Sequence, residues 1–164
     1  MTKDMKKQIS LLTLAIFLVT TAFASESKCL EIAEREYPSD SRMQQYTYKK
    51  QLSAYRYMES AAKETDVLEI ALREYPEDYS MQKYTYDKQS AAKRYMAKVD
   101  DFEVKKFALR EYSYDYSMQK YTYDKQFAAK NYMNSQPDNA AKQKAVREYL
   151  HDYSMQKYIY DKGL

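Results

Sequence analysis

Few residues in this chain could do chemistry. Its 164 residues include one cysteine, Cys29, and one histidine, His151. The two stand about 120 residues apart, and nothing near either resembles a nucleophile-and-base motif. Carboxylates are numerous and recur at fixed intervals, as Glu36, Glu74, Glu111 and Glu148, and as Asp87, Asp124 and Asp161. A general acid and base need two carboxylates in unlike surroundings. Recurrence gives like surroundings instead, so these residues read as solvated faces and pairs one helical turn apart. There is no glycine-rich phosphate loop and no serine nucleophile motif. The expectation is a protein that is not an enzyme, with no cofactor and no metal.

Tyrosine is the informative residue type. It occurs 20 times, tryptophan is absent and glycine occurs once. In Tyr84-Thr85-Tyr86 the two rings lie about 200° apart around a helix. Tyr84 is assigned to the apolar face, and Tyr86 then points outward, near Tyr79 and Gln82. The same holds for Tyr123 with Tyr116 and Gln119, and for Tyr160 with Tyr153 and Gln156. In the first copy Ser41 replaces the leading tyrosine and leaves Tyr48 alone. Two readings follow. These outer tyrosines either pack against the next repeat, ring buried and hydroxyl wet, or form a ladder of exposed rings. On the second reading Tyr48, Tyr79, Gln82, Tyr86, Tyr116, Gln119, Tyr123, Tyr153, Gln156 and Tyr160 make a binding surface for a protein or a cell-wall glycan, because rigid rings give contact area at low entropy cost.

The elements that hold these residues repeat. Arg-Glu-Tyr begins at Arg35, Arg73, Arg110 and Arg147, and Met-Gln at Met43, Met81, Met118 and Met155. Tyr-x-Tyr begins at Tyr46, Tyr84, Tyr121 and Tyr158, and Tyr-Met at Tyr57, Tyr95 and Tyr132. The period is 37–38 residues throughout, in the range of helix-pair repeats. Cys29 falls in register with Val67, Val104 and Ala141, so it reads as a small buried hydrophobe. His151 shares its register with Ser39, Glu77 and Tyr114, the mark of an exposed turn.

Each copy reads as two helices. The first has a stripe such as Val67, Leu68, Ala71, Leu72 and Tyr75, and it ends before Pro76. Asp78, in register with Asp40, Asp115 and Asp152, is placed to cap the second helix, about Tyr79 to Met96. The stripe of that helix is read as Met81, Tyr84, Thr85, Lys88, Ala92, Tyr95 and Met96. The expected fold is all-α, a superhelical stack of about four helix pairs in units of about 29–65, 66–102, 103–139 and a shortened 140–164. The alternative is an antiparallel bundle in which second helices run on into the next unit. A one-residue difference between junctions, which a loop absorbs and a helix does not, favours breaks.

Residues 1–24 read as a signal peptide: Lys3, Lys6 and Lys7, an apolar run from Ile9, then Ala22-Phe23-Ala24. Export to the periplasm or the exterior is expected, with no membrane span after cleavage and 25–164 as one repeat domain. The chain has 27 basic and 24 acidic residues, and removing the signal leaves 24 against 23. So near-neutral a balance argues against nucleic acid as the partner. Self-association through the shortened last unit is the alternative role.

Overall fold

The computed structural model describes residues 26–163, so the expected signal segment lies outside the described residues. Among them are eight α-helices and no strand. Short and long helices alternate: α1 (26–36), α2 (Ser41–Ala61), α3 (Thr65–Glu74), α4 (Tyr79–Lys98), α5 (Phe102–Glu111), α6 (Tyr116–Ser135), α7 (Ala140–Glu148) and α8 (Tyr153–Lys162). Consecutive helices pack antiparallel and stack, which is an all-α array of helix-pair repeats. Residues 62–64, 99–101 and 136–139 are non-helical. The long helices therefore end at the repeat junctions, and the bundle of continuous helices does not form. Contacts divide the chain into two compact units, a first that runs to Tyr84 and a second that starts at Thr85.

The boundaries follow from local chemistry. Asp78, Asp115 and Asp152 each accept a hydrogen bond from the backbone N–H three residues on, at Met81, Met118 and Met155, all at 3.0 Å. These are capping contacts at the first turn of α4, α6 and α8. The short helices close without glycine. Their closing residues, Tyr75, Tyr112 and Tyr149, have φ near −130° and donate back to Ala71, Ala108 and Ala145. The carbonyls of those same tyrosines are then taken by side chains. Gln82 Nε2 donates to Tyr75 O at 2.7 Å, Gln119 to Tyr112 O at 2.6 Å and Gln156 to Tyr149 O at 2.7 Å. Gln44 does the same to Tyr37 O at 2.7 Å. The Met-Gln and Arg-Glu-Tyr series are thus two ends of one staple inside each helix pair. It satisfies a carbonyl that a left-handed glycine motif commonly serves.

A second glutamine joins one pair to the next. In the first unit Gln51 Nε2 donates to Asp78 at 2.9 Å, and its Oε1 accepts from Ser80 N at 3.1 Å. In the second unit Gln89 holds Asp115 and Ser117 N in the same way, and Gln126 holds Asp152 and Ser154 N. Each capping aspartate serves one free amide of the helix start, and the preceding repeat serves another. The serine side chain at that position makes no hydrogen bond, and its small size admits the glutamine. At α2 the arrangement differs. Asp40 accepts from both Arg42 N and Met43 N, and the bulky, exposed Arg42 stands where the later repeats have serine.

The core is built from small and medium side chains. Cys29, Val67, Val104 and Ala108 are fully buried. Cys29 is packed as a hydrophobe, and burial pushes its thiol up to about 11, which makes it inert. In the second unit Met96, Val104, Ala108 and Tyr123 form one cluster, and Met133, Ala145 and Ile159 another. Six glutamines among the described residues, Gln51, Gln82, Gln89, Gln119, Gln126 and Gln156, are buried among the core side chains. Burying an amide is costly unless its groups are bonded; every one of these amides donates, Gln51, Gln89 and Gln126 also accept, and Gln119 Oε1 is buried without a partner.

Candidate interaction surface

The residues expected to face outward are mostly those the fold covers. Tyr86 and Tyr123 are each 5% exposed, and Gln82, Gln119 and Gln156 are buried. Tyr48, Tyr79, Tyr116, Tyr153 and Tyr160 are half-buried. This corrects the orientation read from the sequence: the long helices are turned by about 80° relative to it. The buried face of α4 is Gln82, Thr85, Tyr86, Gln89, Ala92 and Met96. The physical reason is hydrogen bonding: each buried glutamine amide finds backbone or carboxylate partners, so the polar row goes inward. The outer tyrosines pack inside the array, the other of the two readings. Tyr123 stacks on Phe127 with ring centres 5.7 Å apart and meets Tyr95 edge-on at 6.3 Å.

Among the rings left in solvent, the first members of each Tyr-x-Tyr pair are the ones that recur in every copy, whereas Phe102 and Tyr114 are exposed singly. Tyr46 and Tyr84 in the first unit, and Tyr121 and Tyr158 in the second, are 51–63% exposed. The apolar character of the ring is all that assigns these residues to the core in the sequence. Their position opposite the glutamine row is the signal that places them correctly. On α6, Tyr121, Lys125, Ala128 and Tyr132 follow at i, i+4, i+7 and i+11, which is one line along a helix. Lys88, Ala91 and Tyr95 repeat the line on α4, and Tyr158 and Lys162 begin it on α8.

The Tyr-Met tyrosines of this line are fixed at their far ends. Tyr95 donates its hydroxyl to Asp124 at 2.6 Å, and Lys120 Nζ lies 4.4 Å from the Tyr95 ring centre. Tyr132 donates to Asp161 at 2.5 Å beneath Lys157, 4.3 Å from its ring centre. Lys83 stands over Tyr57 at 4.3 Å in the first unit. The bond to Asp124 pushes the Tyr95 hydroxyl up to about 12, with burial adding to it. Tyr95 and Tyr132 are held protonated as hydrogen-bond donors, not poised as nucleophiles.

One cluster in the second unit gathers residue types that could do chemistry. Lys130 donates to Asp101 at 2.8 Å and to Glu103 at 3.2 Å, and Tyr153 donates to Glu103 at 2.5 Å. His151, exposed in its turn as its register implies, stands 3.5 Å from Glu103. Beside them Phe102, Glu103, Lys106, Phe107, Arg110 and His151 line a cleft of about 300 Å³. Glu103 is already held by Lys130 and Tyr153, and Arg110 by Glu111 and the Phe107 ring. No pair there is arranged as acid and base. Among the described residues no group of His, Cys, Asp and Glu could hold a metal, and no helix is long and apolar enough to cross a membrane.

The Lys130 cluster sets an acid limit to stability. The Tyr153 hydroxyl, then Lys130 and His151, hold Glu103 below the usual carboxylate range. Burial opposes ionisation of Asp101, but Lys130 and the Val104 amide overcome it and hold that group low as well. A carboxylate lowered in the folded state contributes stability above its unfolded pKa, about 4, and loses it as pH falls through the folded value. Solvent screens Glu103, so Asp101 carries most of the effect. Lys130→Met is expected to cost about 1 kcal/mol at pH 7, with the difference from the parent shrinking as pH falls below about 4. Urea unfolding at several pH values measures it, and a difference independent of pH contradicts it.

No known protein family, curated protein or solved structure matches this chain.

Proposed function

We propose that this chain is a non-enzymatic binding module that works outside the cytoplasm and holds a protein or a cell-wall glycan on its exposed tyrosines. One observation carries the reading. The same register position, Tyr46, Tyr84, Tyr121 and Tyr158, keeps a large ring in solvent in every copy. Solvating that much apolar surface four times over brings nothing to stability, whereas a ring that docks on a partner gives contact area with little entropy to lose. The basic, apolar and small-residue pattern of residues 1–24 supports export. Self-association end to end receives less support, because Gly163, not glutamine, stands in register with Gln51, Gln89 and Gln126.

The test is co-sedimentation of the protein with insoluble cell-wall material, alongside capture of envelope proteins. Tyr121→Ala with Tyr158→Ala is expected to weaken retention about tenfold or more, with unchanged helical circular dichroism. Full retention by that double variant would remove the tyrosines from the interface and sink the proposal.

A further inference from the structure

The tyrosine line of the second unit also carries charge. Lys88 and Lys125 lie on it, exposed, and make no ion pair or hydrogen bond among the described residues. Lys162 extends it on α8, its ammonium 5.9 Å from the Tyr158 ring centre. The carboxylates bordering the line are already engaged. Lys120 and Tyr95 hold Asp124, and Lys157 and Tyr132 hold Asp161. Asp87 also has a partner. The line therefore presents one uncompensated cation per long helix. Between α6 and α8, Lys125, Ala128, Ala129, Tyr132, Ser154 and Lys157 line an open cleft of about 470 Å³. Ala128 and Ala129 are the smallest of its lining residues.

We infer that this face takes an acidic polysaccharide: sugar faces lie on the Tyr121 and Tyr158 rings and in the cleft that Ala128 and Ala129 help to line, and acid groups pair with Lys88, Lys125 and Lys162. The inference rests on the tyrosine reading above and adds the ligand's charge and its spacing. Packed helices are about 8–10 Å apart, so the cations are sparse. A nucleic-acid duplex carries a phosphate about every 1.7 Å of its axis, far denser than this row can neutralise. A polymer with an acid group on every second or third sugar matches the row. The flat rings between the lysines call for flat, saturated ligand faces, which a polyglutamate chain lacks. Carboxylate and phosphodiester glycans share this chemistry.

The experiment measures binding of the purified protein to immobilised hyaluronan, which carries a carboxylate on every second sugar, to teichoic acid and to neutral dextran, with polyglutamate and a duplex oligonucleotide as competing surfaces. Binding to hyaluronan or teichoic acid is expected to weaken at least tenfold as salt rises from about 0.05 to about 0.5 M, where screening shortens to a few ångströms. Lys88→Gln with Lys125→Gln is expected to weaken it about fivefold and to flatten the salt dependence. The stronger of the two acidic glycans identifies carboxylates or phosphodiesters as the group read. Equal binding to dextran, unmoved by the lysine changes, overturns the acidic assignment and leaves the tyrosine reading standing. Preference for polyglutamate or the oligonucleotide overturns the polysaccharide. Binding to none of the surfaces defeats the inference, and the tyrosine reading then stands or falls on cell-wall and envelope-protein retention.

Discussion

Gln89→Ala is expected to destabilise the second unit by about 2–4 kcal/mol, through two losses. Gln89 is buried and bonded at both ends, its Nε2 to Asp115 and its Oε1 to the Ser117 amide. Alanine leaves that amide unserved at the start of α6, and it removes one donor from the carboxylate that caps the helix. Methionine at 89 keeps most of the volume, so Gln89→Met isolates the hydrogen bonds from the cavity. Gln89→Glu gives the sharper result. At pH 7 it sets a second carboxylate 2.9 Å from where Asp115 accepts, and like charges at that distance cannot both ionise comfortably. The pKa of the introduced carboxyl is then raised in the folded state, so the defect is full at neutral pH and shrinks as pH falls and the acid becomes a donor again. Chemical denaturation of the three variants at pH 7 and about pH 5 distinguishes them. A glutamate variant as stable as the parent at pH 7 would show that the joint contributes little.

Tyr121 and Tyr123, two residues apart in α6, should respond oppositely to truncation. Tyr123 lies in the cluster of Met96, Val104 and Ala108, and its ring stacks on Phe127. Tyr123→Ala empties that place and is expected to cost about 3–5 kcal/mol. Tyr121 stands 60% in solvent, so Tyr121→Ala should change stability by about 0.5 kcal/mol or less. Thermal unfolding of the two variants side by side gives the comparison. Equal losses would mean that the first tyrosine of the pair is also core, which would remove the proposed surface.

The difference between those two tyrosines marks where sequence reasoning stops. The period, the helix pairs, the breaks at the junctions and the aspartate caps are all legible, because each rests on a local rule: spacing, a proline, a carboxylate before a helix. Which face of the long helix is buried is not. Its buried row contains Gln82, Thr85, Gln89 and Ser90, and polarity assigns such residues to solvent. They are inside because their partners, Tyr75 O for Gln82 and Asp115 for Gln89, lie 7 and 26 residues away in sequence, beyond any local pattern. With the glutamines placed outside, Tyr86 goes with them and Tyr84 takes its place in the core. The clue available is that Met-Gln is kept in the first copy although Ser41, Arg42 and Gln45 around it differ from the later copies, as a staple would require. Close resemblance between copies obscures it.

The joint between repeats also bears on how such a chain can change in length. Gln89 meets Asp115 and Gln126 meets Asp152 through the same atoms, so the helix that follows is interchangeable with the one after it. An in-frame loss of residues 90–126 would bring Gln89 to Asp152 with every bond of the joint restored, and an in-frame duplication would add a copy with its own joint already in place. Because the rule of assembly is written between equivalent positions, the number of copies is free to drift while the fold is kept, and each copy gained brings one more ring and one more lysine to the outer face.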